Sequence, residues 1–223
     1  MSTLFNMDNP FWRSLGRLAD LMILNLIFIV CCIPIFTIGA SLTALSYVTL
    51  KLHDGDEGYI TRNFFKSFRQ NFKQATLMWL ICLAFIIVLV SDFLILWGTE
   101  GTFYTVLTTI IVIITIAFIM VLLYLFAVLS RFDNTIKNTF RNSFIMAIAD
   151  FPRTIAMIAI LALAIIATFF NGTTLTWGIL IWLLVGFSAI SYCNTYFLSK
   201  IFNKYVPKDA DENADPDHWD VDE

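Results

Sequence analysis

Apolar residues fall along this chain in blocks of bilayer length, and the basic residues fall between them. Residues 76–97 form a predominantly apolar stretch of 22 residues closed by Trp97. Residues 102–130 exceed the roughly 20 residues that a hydrocarbon core requires, so this block is predicted to tilt or protrude. Residues 154–170 are shorter and wholly apolar, and 174–199 make another full span, with Trp177 and Tyr196 near its ends. The connectors 98–101 and 171–173 have room only for tight turns.

The N-terminal third is harder to divide. Asn9 followed by Pro10 reads as an N-cap with proline at the first helical position. The stretch "NPFWRSLGRLAD" then forms a short amphipathic helix, with Phe11, Leu15 and Leu18 toward lipid, Arg13 and Arg17 toward headgroups, and Trp12 at the interface. Residues 18–33 are strongly apolar, Pro34 interrupts them, and 41–52 form a second, weakly helical arm. Either 34–39 is a turn joining two helices, giving six membrane segments, or 20–42 is one kinked span, giving five. The arm of about 12 residues reaches roughly 18 Å, which suits a partial span packed within the bundle. Such a broken hairpin is tolerated only where protein or water satisfies the freed backbone groups.

Two stretches between the blocks are amphipathic. In 59–73, "YITRNFFKSFRQNFK", Ile60, Phe64, Phe68 and Phe72 recur every four residues, and Arg62, Lys66, Arg69 and Lys73 form a stripe on the opposite side. This pattern predicts a helix lying in the inner interface, aromatics toward acyl chains and bases toward phosphates. In 135–151, "TIKNTFRNSFIMAIADF", Ile136, Phe140, Phe144 and Ile148 repeat the spacing, beside Lys137 and Arg141. "RNFFKSF" resembles "KNTFRNSF" with one residue inserted, which suggests a weak parallel duplication of span, basic helix and span.

Composition agrees. Hydrophobic residues are 59% of the 223 and charged residues 14%, against about 25% charged in ordinary globular domains. Mean hydropathy is +0.79. This excludes a soluble enzyme, a nucleic-acid binder and a disulfide-stapled secreted domain. The expected fold is an all-α, polytopic membrane helical bundle, with five or six membrane segments (six favoured) and two cytoplasmic amphipathic helices. It occupies 1–206 and is followed by an acidic tail, 207–223. The net charge of −3 averages two regions: eight acids and no base lie in 209–223, which leaves 14 bases against nine acids before them. The tail is too polar and acidic to order itself, and Trp219 is its one large apolar residue.

Every Lys and Arg lies at 13–17, 51–73, 131–153 or 200–208, and none lies in the turns at 34–39, 98–101 and 171–173. The positive-inside rule therefore places the basic segments and the tail in the cytoplasm, and it favours six segments. The N-terminus lacks the basic n-region and cleavage pattern of a signal peptide, so the first apolar block is expected to remain as an anchor.

Candidate chemistry is sparse. Asp92, about 8 Å below Trp97 along its helix, is an ionisable group inside an unambiguous span and a candidate proton or cation site. Asn25 and Asn194 are deep amides suited to hydrogen bonds between helices. Asp20, beside Arg17, suits a salt bridge at the inner interface. The four cysteines lack metal or redox spacing, and no P-loop, GxSxG, HExxH or kinase set occurs. No enzyme activity, cofactor or metal is expected. The "EAA…G" pattern by which importer permeases meet their ATPase is also missing.

The stretches "MDNPFWRSLGRLADLMILNLIFIVCCIPIFTIGASLTALSYVTLKL", "GDEGYITRNFFKSFRQNFKQATLMWLI" and "FRNSFIMAIADFPRTI" closely resemble the bacterial YesL family of small integral membrane proteins, also classed as a domain of unknown function. The resemblance implies a multi-pass protein of the bacterial cell membrane in a carbohydrate-utilisation setting, near sugar transport components and two-component regulators. It supplies no catalytic or ligand residues. The expectation is an auxiliary component of carbohydrate uptake. It would meet membrane lipids, and a sugar importer subunit or sensor kinase, through Arg62, Lys66, Arg69, Lys73, Lys137 and Arg141. The alternative is a self-sufficient transporter or channel with its site at the broken hairpin 34–39.

Overall fold

The computed structural model describes residues 10–55, 58–99 and 101–205. The cap at Asn9, the side chains of Phe11, Trp12 and Arg13, and the tail with Trp219 lie outside the described residues. Every described element is helical: α1 (Pro10–Cys32), a 3-10 turn (Ile35–Thr37), α2 (Ile38–Asp54), α3 (Ile60–Leu96), α4 (Thr102–Arg131), α5 (Ile136–Ala149), α6 (Phe151–Phe169), α7 (Gly172–Ile181), a π-helical turn (Trp182–Gly186) and α8 (Phe187–Tyr205). Six helical stretches are long and apolar enough to cross a membrane, including one on each side of Pro34.

The breaks follow local chemistry. Pro34 stops the helix and sits in extended backbone. Gly55, at φ +88°, closes α2 with its N–H on the Lys51 carbonyl. Pro152 opens α6 and separates it from α5 at Asp150. Asn171 and Thr174 form a reciprocal capping box that starts α7.

Three boundaries correct the sequence reading. The N-terminal amphipathic stretch and the first apolar block are one helix, because Gly16 is the one glycine between Pro10 and the break and no further proline interrupts it. The second arm is 17 residues, not about 12, because the helix starts at Ile38. Residues 60–73 are not a separate interfacial helix. They are the first turns of α3, which runs 37 residues, about 55 Å, with no proline or glycine inside it. A change from amphipathic to apolar side chains alters what surrounds a helix without interrupting its hydrogen bonds. In the second half of the chain the corresponding stretch is cut into α5 and α6 by Pro152, so the two halves of the suggested duplication differ at that point.

Helix α2 is central and packs against α1, α3, α4 and α8. One buried cluster joins Leu24, Phe28, Val48 and Phe64 from α1, α2 and α3. A second joins Ala40, Ala75, Met78, Leu125 and Leu129, and a third joins Leu50, Tyr124, Met146, Met157 and Ile201. Away from these clusters, the far halves of α3, α4 and α6 leave Leu94, Ile95, Phe103, Ile113, Leu163 and Ile166 between 60% and 71% exposed. Water would reject that continuous apolar surface, whereas acyl chains accept it.

Candidate functional site

The basic face is built on α3. Phe64 is fully buried, and Phe68 and Phe72 pack into the α2–α4 clusters. The aromatic stripe expected to meet lipid is thus covered by protein. Arg62, Arg69 and Lys73 are exposed on the other side and Lys66 is half-buried. On α5, Lys137 and Arg141 are exposed. The stripe beside them divides: Ile136 and Phe140 pack against the α3–α4 cluster, while Phe144 and Ile148 face outward. The buried face of α5 is instead Thr139, Ser143, Met146 and Ala147, small enough at three positions to let α5 sit close to its neighbours.

The two basic stretches flank one buried cluster. Ile136 and Phe140 share a cluster with Phe68 and Phe72, and the Gln74 amide donates to the Asn134 carbonyl at 2.6 Å. Ion pairs bind the same end of the bundle. Arg131 meets Asp54 at 3.5 Å, joining α4 to α2. Asp150, buried at the α5–α6 elbow, accepts from Arg153 at 2.7 Å and from Lys204 of α8. Replacing Asp150 with Ala removes the acceptor from both cations. Both cations reach water, so a loss of about 1–2 kcal/mol is expected, measured by denaturation in mixed micelles. Nearby, the buried Tyr124 hydroxyl lies 2.7 Å from that of Thr154. Tyr124→Phe is expected to cost about 1 kcal/mol in the same assay.

Asn25 is fully buried and lies against the π-helical turn. Its amide nitrogen donates to the carbonyls of Trp182 (3.1 Å) and Leu183 (2.8 Å), and its oxygen accepts the Ser188 backbone N–H at 3.1 Å. The Ser188 hydroxyl donates to the Leu21 carbonyl at 2.7 Å. A widened turn puts backbone groups out of α-helical register, and one side chain from α1 meets three of them. A second polar joint links α2 and α8, where the Thr49 hydroxyl lies 3.1 Å from the Ser191 hydroxyl and accepts from the Thr195 hydroxyl at 3.1 Å. The sequence marked Asn25 as an amide suited to hydrogen bonds between helices, but neither its partners nor the α2–α8 joint were visible there.

The other candidates stand apart. Asp92 is half-buried on α3 and makes no hydrogen bond or ion pair among the described residues. The buried Asn194 carbonyl oxygen lacks a hydrogen-bond partner among them. At the broken hairpin, the Thr37 hydroxyl lies 2.6 Å from the carbonyls of both Cys31 and Pro34, and the Trp79 indole donates to the Ile35 carbonyl at 2.8 Å.

Residues 21–93 match a family described as "Protein of unknown function, DUF624". The match takes in the second half of α1, all of α2 and nearly all of α3, and therefore the hairpin and the α3 basic stripe. No curated protein and no solved structure matches the chain. The matched family has no assigned activity, and the sugar-linked setting rests on the YesL resemblance alone.

Proposed function

We propose that this multi-pass membrane protein is an auxiliary component of carbohydrate uptake or utilisation, and that it docks a cytoplasmic partner on the basic face formed by α3 and α5. The partner class is an importer subunit or a sensor kinase with an acidic surface. The supporting observation is the division of labour on α3: Phe64, Phe68 and Phe72 are occupied by packing, while Arg62, Arg69 and Lys73 are exposed next to α5. Solvent-facing bases that are not needed for packing suit electrostatic recognition, which sets partner choice and association rate. The face also suits anionic headgroups.

A transporter with its site at 34–39 would need free polar groups there. The carbonyls of Cys31, Pro34 and Ile35 already have donors, which leaves fewer polar groups there for a substrate.

The test is co-purification in detergent with the triple variant Arg62→Glu, Arg69→Glu, Lys73→Glu as control. The wild-type chain is expected to recover an importer or kinase subunit that the triple variant loses, and a deletion strain is expected to change in sugar uptake. Recovery of neither class of subunit, with unchanged uptake, would overturn the reading.

A further inference from the structure

The turn between α1 and α2 does not resemble the other two turns at the far ends of the membrane helices. Residues 98–101 and 171–173 are built from Gly, Thr, Glu and Asn, with Trp97 and Trp177 close by. The turn at 33–36 is Ile-Pro-Ile-Phe, and Ile33, Ile35 and Phe36 are 75%, 63% and 51% exposed. A turn that emerges into water has no reason to present only apolar side chains.

Its height is fixed by α3. A Cβ on Gly39 would lie 2.5 Å from the Ala75 carbonyl oxygen and 2.6 Å from the Trp79 Cβ. The Trp79 indole donates to the Ile35 carbonyl. The turn therefore meets α3 at Ala75–Trp79, and α3 continues 17 residues further to Leu96. That remainder is about 26 Å along the axis, and still about 20 Å toward the membrane normal at a 40° tilt. With Trp97 at the outer interface, the turn, which stands about 5 Å beyond that contact, stops well short of it.

Several backbone groups at the break are also paired internally. Pro34 has no N–H to satisfy. The carbonyls of Val30, Cys31, Pro34 and Ile35 have donors in Ile33 N–H, the Thr37 hydroxyl, Thr37 N–H and the Trp79 indole. In hydrocarbon, a chain reversal persists only when protein supplies those partners.

We infer that α1 and α2 form a re-entrant hairpin that enters from the basic side and turns within the bilayer, with Ile33, Ile35 and Phe36 in contact with lipid acyl chains. The chain then crosses the membrane fully four times, through α3, α4, α6 and the α7–α8 rod. This inference is independent of the docking reading.

The test uses the full-length chain in native membrane vesicles of both orientations, with Cys31, Cys32, Cys82 and Cys193 replaced by Ala. Single cysteines are placed at Ile35, Thr99 and Thr173, and a membrane-impermeant maleimide is applied. Thr99→Cys and Thr173→Cys are expected to react from one face. Ile35→Cys is expected to stay unmodified from both faces until detergent is added. After bimane labelling in detergent and reconstitution, its fluorescence should be quenched by lipids brominated in mid-chain. Phe36→Cys gives a second position should Ile35→Cys elute as aggregate. Reaction of Ile35→Cys or Phe36→Cys from the same face as Thr99→Cys would mean that the hairpin crosses fully. Reaction from the opposite face would mean that its tip lies in water. Either result overturns the inference.

Discussion

Gly39→Ala is expected to loosen the α2–α3 packing, at a cost of about 2–3 kcal/mol. The added methyl would fall 2.5 Å from a backbone oxygen of Ala75, with the Ala75 carbonyl carbon at 3.2 Å. Backbone has no rotamer to escape into, so the two helices must separate. The Trp79–Ile35 hydrogen bond, one turn away, is strained by the same movement. Because α2 also packs on α1, α4 and α8, the displacement reaches all three core clusters. Denaturation in mixed micelles should show a lower midpoint for Gly39→Ala. Gly16→Ala is the control: nothing lies within 4 Å of its added Cβ, and alanine improves an exposed helical position by up to about 1 kcal/mol. Equal stability of Gly39→Ala and the wild type would show that the close approach is not real.

Asn25→Leu is expected to have the other large effect. Leucine has nearly the right volume, so the loss is confined to polar satisfaction. It removes donors from the Trp182 and Leu183 carbonyls and the acceptor for the Ser188 N–H. Interhelical hydrogen bonds in membranes average about 0.6 kcal/mol and reach about 1.7, so three of them amount to about 2–4 kcal/mol. Asn194→Leu gives the contrast. That amide is buried with its oxygen unpaired among the described residues, and replacing it with leucine should be neutral or stabilising. A large loss for Asn25→Leu beside none for Asn194→Leu separates a clamped amide from a merely buried one. Equal effects of the two would contradict the role given to Asn25.

Much of this fold was legible because lipid simplifies the reading. Where the surrounding solvent is apolar, a block such as 102–130 announces a helix by composition alone, and Pro34 and Asn171 mark its neighbours' ends by local chemistry. Periodicity stopped being sufficient at the question of what covers an apolar face. The Phe64–Phe68–Phe72 stripe and the Phe140–Phe144 stripe have the same spacing. The first is covered by α2 and α4, and the second turns partly outward because Thr139, Ser143 and Ala147 allow a closer fit on the adjoining side. The continuity of α3 was missed for a related reason, since a change of side-chain chemistry at residue 74 looks like a boundary on paper. The Asn25 joint depends on backbone groups 157 to 163 positions away, displaced by a π turn that has no sequence signature. The candidate basic residues were legible as a set. Their adjacency across α3 and α5 was not, because it depends on how far the α4–α5 loop folds back to Gln74.

The measurement closest to the centre of this account places single cysteines at Arg69, Arg141 and Thr99 in a cysteine-free full-length chain, and labels sealed vesicles of known orientation with an impermeant maleimide. The account predicts that Arg69→Cys and Arg141→Cys react from one and the same face, and Thr99→Cys from the other. Reaction of the first two from opposite faces, or of all three from a single face, would contradict it.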